Sequence, residues 1–138
     1  MNAEPIYLDA SAIVKLVTRE PESDALVAWM AHHPEGITSA LSRVEVGRAA
    51  LRSRLGPGAH ERCSRIFEHL TVVSIDETVV DLATRLPGDG LRSLDALHLA
   101  TALSIGDFPA AFVTYDDRLG HAAEAAGLVV VSPGRQPG

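Results

Sequence analysis

The chain has one cysteine, Cys63, and one lysine, Lys15. A lone thiol excludes a disulfide framework within the chain, and no Cys/His spacing of the zinc-binding kind exists. Long apolar runs are also missing: none approaches the roughly 20 residues that a membrane helix requires. The N-terminus carries no basic region followed by a long apolar stretch, so no signal peptide is expected. These absences together predict a protein of the reducing cytoplasm with no membrane partner. Positive charge is scarce as well, with 12 Lys and Arg against 18 Asp and Glu, for a net charge of −6. Bulk electrostatics therefore do not mark the chain as a nucleic-acid binder.

What basic charge there is lies unevenly. Arg43, Arg48, Arg52, Arg54, Arg62 and Arg65 place half of the 12 basic residues in one stretch, opposed only by Glu45 and Glu61. Arginine is the better fork for phosphate, although such a stretch is more often a solvated face or a partner surface. The length of 138 residues fits one domain, 1–138, with 132–138 as a Pro/Gly-rich tail expected to fray. The apolar share of 46% is that of a soluble globular chain. No repeat and no interior linker is visible.

Short β-type runs alternate with helical patterns. Strands are predicted at Ile6–Leu8, Ile37–Ser39, Thr71–Ile75, Ala111–Tyr115 and Leu128–Val131. Helices are predicted at Ser11–Thr18, Glu22–His32, Leu41–Leu55, Ala59–Leu70, Glu77–Leu86, Leu94–Ile105 and Asp117–Ala126. Gly56-Pro57-Gly58 and Gly127 act as stops, with Asp76 and Ser93 as caps. This alternation predicts an α/β fold, a parallel sheet covered by helices on both faces. In such sheets, sites lie beyond the carboxyl ends of the strands.

Two acids stand at strand ends: Asp9, within YLDASAIVKL, and Asp116, followed by Asp117. In a parallel sheet both strand ends open on one edge. Two further acids sit in helices, Glu45 in LSRVEVGRAAL and Asp95 in SLDALHLATAL. At about 100° per residue, His98, Leu99 and Ala102 share the face of Asp95, so Asp95 is expected to point at protein. Leu41, Val44, Leu51 and Leu55 are expected to form the apolar stripe of the Glu45 helix, with Glu45, Arg48 and Arg52 along its edge. Carboxylates facing one spot cannot all ionise without positive charge among them. A hard divalent cation such as magnesium or manganese, which prefers oxygen ligands, meets that need and suits phosphodiester chemistry. Taken singly, each residue has a plainer reading: Asp9, Asp95 and Asp116 as helix-end acids, Glu45 as solvated, and His98 as a packed, hydrogen-bonded histidine.

The four stretches Tyr7–Leu16, Ser42–Ala50 (SRVEVGRAA), Ser93–Leu103 and Phe112–Leu119 (FVTYDDRL) resemble, in order and context, those of the PIN-domain nucleases. Within that family the likeness is to the toxin subunit of VapBC-type toxin–antitoxin pairs, and it covers nearly the whole chain. The resemblance implies a three-layer α/β/α PIN-like domain with a central parallel sheet, acting as a Mg²⁺- or Mn²⁺-dependent endoribonuclease. It assigns the catalytic and metal-binding acids to Asp9, Glu45, Asp95 and Asp116. Ser11 and Thr114 become the small hydroxyl residues near the metal, and Asp117 a neighbour able to assist Asp116. Arg48, Arg52 and Arg118 become candidates for holding RNA phosphates. The implied partners are RNA, a cognate VapB-type antitoxin and a second copy of the chain in a homodimer.

Two rivals stand beside this reading. One is a metal-dependent phosphatase with an aspartyl nucleophile after the first strand. Such enzymes place a second acid two residues on, where this chain has Ser11. The other is a catalytically inactive PIN-like module that binds RNA or protein; the presence of all four acids gives no reason to prefer it.

Overall fold

Two short strands, β1 (Ile6–Leu8) and β4 (Ala111–Val113), are buried at every residue. A strand that is apolar throughout rather than alternating belongs at the centre of a parallel sheet, covered on both faces. The computed structural model describes residues 4–52 and 56–135. Around the two central strands the chain runs α1 (Ala10–Val17), α2 (Ser23–Met30), β2 (Gly36–Ser39), α3 (Ala40–Arg52) and α4 (Ala59–Glu68). It continues through β3 (Thr71–Val73), α5 (Glu77–Arg85) and α6 (Ser93–Leu103), and after β4 ends with α7 (Asp117–Ala125) and β5 (Val130–Val131).

The sheet order is β3-β2-β1-β4-β5, and every pairing is parallel. Ile6, Leu8, Ala111 and Val113 pack on one face with Ala12, Ile13, Val17, Leu26, Val46 and Cys63. Tyr7 and Phe112 turn to the other, against Leu99, Ala102, Leu119 and Ala123. The two clusters are the two cores of a three-layer α/β/α architecture, as expected. From β1 the chain builds outward one way through β2 and β3, then returns to the other side of β1 with β4. The order reverses between β1 and β4, and this is where an open parallel sheet leaves a crevice beyond its strand ends.

Local chemistry explains most boundaries. Asp9 caps α1 by accepting from the Ala12 amide, and Asp76 caps α5 by accepting from the Val79 amide. Gly127, at φ +93°, takes the left-handed turn that closes α7, a conformation that costs glycine little. The observed strands β3, β4 and β5 are shorter than the expected Thr71–Ile75, Ala111–Tyr115 and Leu128–Val131.

Three expectations need correction. Ser93 is the first residue of α6 rather than its cap; Arg92 holds the cap position, without a side-chain capping bond. The apolar stripe expected on α3 is not its buried face: Val44 is 58% and Leu51 is 82% exposed, while Ser42 and Val46 are fully buried. The Ser42 and Thr38 hydroxyls are hydrogen-bonded at 2.7 Å, and this bond at the β2 end holds the Ser42–Val46 side of the helix inward. Leu55 and Arg54, and with them the expected end of this helix, lie outside the described residues. Finally, Ser132–Arg135 is tied down rather than frayed. Ser132 donates to the Thr114 carbonyl, the Tyr115 hydroxyl donates to the Pro133 carbonyl, and Arg135 donates to the Tyr115 carbonyl. The last three residues of the expected tail, 136–138, lie outside the described residues.

Candidate active site

Asp9 continues β1 by one residue, its amide donating to the Val113 carbonyl at 3.2 Å. The β1–β4 register pairs Leu8 with Val113, which brings the next residues, Asp9 and Thr114, side by side. The Asp9 side chain is held on both oxygens by this setting. Oδ1 accepts from the Ala12 amide at 3.0 Å and from Ser11 Oγ at 2.7 Å; Oδ2 accepts from Thr114 Oγ1 at 2.6 Å. Both hydroxyl protons are committed to the carboxylate, so the 3.3 Å approach of Ser11 Oγ to Thr114 Oγ1 carries no proton between them. Each hydroxyl oxygen also accepts from the β4 exit: Ser11 from the Tyr115 amide at 2.9 Å, Thr114 from the Asp116 amide at 3.1 Å.

Burial pushes the Asp9 carboxyl above its ordinary pKa, and the bonds from Thr114 and then Ser11 pull it partly back. A carboxylate offers about four acceptor positions. Three are taken here, which leaves one on Oδ2.

The other three acids meet in front of this group. Asp95, in the first turn of α6, is half-buried. Burial raises its pKa, and repulsion from Asp116 and then from Glu45 raises it further, against the pull of His98 and Arg92. Asp116 caps α7 through Oδ1, which accepts from the Leu119 amide at 3.2 Å. Glu45 extends from α3, its Oε1 held at 2.6 Å from His98 Nε2. Glu45, Asp95, Asp116, Asp117, Arg92 and Arg118 all line one cleft of about 550 Å³. Asp9 is joined to the Asp116 backbone through Thr114. Asp117 is exposed at the rim and paired with Arg135 at 2.9 Å. A larger cavity of about 710 Å³ lies between α3 and α4, lined by Ala40, Val44, Cys63 and Phe67 among others; it lacks converging acids, so chemistry rather than size selects the smaller one.

Among the described residues, no three acidic, histidine or cysteine side chains form a ready-made cation cage. The donors nevertheless fit a hard divalent cation. They are all carboxylate oxygens, one of them is rigidly held with an acceptor position to spare, and repulsion from Asp116 and Glu45, added to burial, raises the pKa of Asp95, a repulsion that a cation would relieve. Magnesium keeps several of its waters and needs only one or two carboxylates directly.

The structure therefore gathers Asp9, Ser11, Glu45, Asp95, Thr114, Asp116 and Asp117 at one sheet edge. Arg118 joins them, whereas Arg48 and Arg52 are exposed on α3 and do not line the cleft. Sequence reading passed over Arg92, whose only signal was its place three residues before Asp95 at a helix start. It also passed over Tyr7, which inside an apolar run reads as core. His98 is packed and hydrogen-bonded as expected, at 2% exposure.

A family model described as the PIN domain matches residues 6–125. Ribonuclease VapC46 of Mycobacterium tuberculosis strain H37Rv is 46% identical over 128 residues, which span 93% of this chain and 97% of that protein. The crystal structure of Mycobacterium tuberculosis VapC20, a sarcin-ricin loop cleaving toxin, is similar in fold. Its TM-score is 0.71 at 19% identity, covering 93% of this chain and 99% of that one. A toxin–antitoxin complex from Klebsiella pneumoniae includes a chain of the same fold, with a TM-score of 0.70 at 20% identity over 93% of this chain and 97% of that one.

Proposed function

The chain belongs to the PIN-domain family, and from that premise we propose that it is an endoribonuclease, the toxin of a toxin–antitoxin pair, dependent on magnesium or manganese. One observation carries this reading. Asp9 is fixed by Ser11, Ala12 and Thr114 at the β1–β4 reversal, and Thr114 ties it to Asp116, which lines one cleft with Glu45 and Asp95. Full-length similarity to a protein named as a ribonuclease supports it.

Asp9, Asp95, Asp116 and Glu45 are the residues that would hold the cation. When bound, the cation supplies positive charge against a phosphate and acidifies water beside it. The chain's own residues do the rest. Ser11 and Thr114 fix the orientation of Asp9 and sustain its ionised form against burial. Asp116 and Glu45 complete the acidic wall and orient the attacking water. Its oxygen bonds to phosphorus as the bond to the leaving oxygen breaks, and a proton passes to that oxygen. Arg92 and Arg118 make no ion pair among the described residues and stand at the cleft mouth. There they hold RNA phosphates against the acids' own field. Arg48 and Arg52, exposed on α3, meet the RNA further from the cleft.

A VapB-type antitoxin, a homodimer and a cytoplasmic location belong to the same proposal. No helix among the described residues is long and apolar enough to cross a membrane. The deciding experiment incubates the purified chain with total RNA and Mg²⁺ or Mn²⁺, beside Asp9→Asn and Asp95→Asn. Cleavage by the wild type and loss in both variants is the expected result. Equal cleavage by all three would discard the assignment.

A further inference from the structure

The cleft explains Asp9, Asp95 and Asp116, but not why Glu45 ends on a buried histidine. His98 Nε2 lies 2.6 Å from Glu45 Oε1, and on the other side of the ring Nδ1 lies 2.7 Å from the Tyr7 hydroxyl. Tyr7 is wholly buried and His98 is 2% exposed. The tyrosine ring stacks on Phe112, with centroids 5.1 Å apart and planes at 12°, and meets the histidine ring edge-on at 6.0 Å and 73°. Aromatic packing of this kind holds both rings in one orientation. We propose that Tyr7 and His98 are positioning residues, a buried hydrogen-bonded strut that reaches from β1 through α6 and fixes the Glu45 carboxylate at the wall of the cleft. The inference rests on the reading of Glu45 as part of the active site.

The direction of the protons follows from the surroundings. The Glu45 carboxylate only accepts, so Nε2 carries the proton of that bond, and in a neutral ring Nδ1 is left to accept from the Tyr7 phenol. The imidazole proton is then on Nε2, where it donates to Glu45. Were the ring protonated, Nε2 would still carry a proton, so the bond to the carboxylate does not depend on the charge of the ring. Glu45 is otherwise a long, flexible side chain on a helix face that is part-exposed, at 29% for the side chain. Without the strut its carboxylate is free to turn away from Asp95 and Asp116. The arrangement parallels the outer hydrogen bonds that orient metal-ligating side chains, whose loss costs about 10–100-fold in affinity or activity.

The test uses the full chain with Tyr7→Phe, His98→Leu, His98→Gln and Glu45→Gln. Two readouts are taken: cleavage of total RNA with Mn²⁺, alongside RNA retention on filters, and ring ¹⁵N NMR of His98 in the metal-free protein. Tyr7→Phe and His98→Leu should lower the cleavage rate by roughly tenfold or more with RNA affinity unchanged. His98→Gln, whose amide sets an N–H near the position of Nε2, should recover part of that loss; a purely structural role would not show this rescue. The NMR should show a protonated Nε2 and a bare Nδ1, with the Nε2 proton far downfield and shifted back in Glu45→Gln. If Tyr7→Phe and His98→Leu cleave like the wild type while Glu45→Gln is inactive, the strut is refuted and the active site stands. If Glu45→Gln cleaves normally, the reading of Glu45 fails and the inference falls with it. A proton on Nδ1 with none on Nε2 overturns the strut whether or not the variants fold.

Discussion

Thr114 Oγ1 donates to Asp9 Oδ2 at 2.6 Å, across the one place in the sheet where strand order reverses. Thr114 Oγ1 also accepts from the Asp116 amide, so a single hydroxyl joins two of the four acids. Thr114→Val keeps the shape and removes the bond. A buried hydrogen bond to a charged group is worth about 1.5–3 kcal/mol. The variant should lose about that much in denaturant unfolding and most of its RNA cleavage. Wild-type cleavage with unchanged stability would refute the role given to this hydroxyl.

The raised pKa values of Asp9 and Asp95 bear on stability as well as chemistry. Each carboxyl binds its proton more tightly in the folded chain than in the unfolded one. Their contribution to stability is therefore fully present below the ordinary value of 3.8 and is lost as pH rises through the raised folded values. Metal-free protein should show this loss in thermal scans over the window above 3.8. Asp9→Asn should flatten the profile and raise the melting temperature at neutral pH while abolishing cleavage. Added Mn²⁺ should stabilise the wild type at neutral pH and the variant much less.

Two aspartates of the same local design separate structure from chemistry. Asp76 and Asp116 each cap a helix by accepting from the amide three residues on, at 3.0 and 3.2 Å. Asp76→Ala should cost about 1 kcal/mol and leave cleavage intact. Asp116→Asn keeps a good capping residue, so its unfolding midpoint should barely move while cleavage is lost. Parallel denaturant titrations and RNA digests of the two proteins check the contrast.

The arginines divide by position. Arg92→Ala and Arg118→Ala, at the cleft, should each weaken RNA binding and lower the magnitude of the salt slope by about 0.7, the value for one phosphate contact on a single strand. Arg48→Ala and Arg52→Ala should change the slope less. Filter binding over a salt series measures all four, and equal effects from both pairs would refute the division by extending the RNA path over α3.

Three of the four acids proposed for the site stood out in the sequence because each sits at a boundary that local chemistry marks: a strand end for Asp9 and Asp116, a helix start for Asp95. Glu45 was visible only by its company, since nothing local distinguishes it from a solvated glutamate. The buried face of α3 was misread because hydropathy alone points to Val44 and Leu51. The helix instead turns inward on Ser42, through a hydroxyl bond to Thr38 that no periodicity encodes. Tyr7 and Arg92 escaped for a related reason. Their meaning depends on partners 91 residues away for Tyr7, and on which residues share a cleft for Arg92.

The bond between Asp9 and Thr114 also spans 105 residues of sequence. A contact that spans so much sequence forms after more local pairings, because the loop it closes must first be ordered. Until β1 and β4 pair, nothing fixes the Asp9 carboxylate. Closing the sheet at its reversal and setting the acid at its edge are thus one folding event.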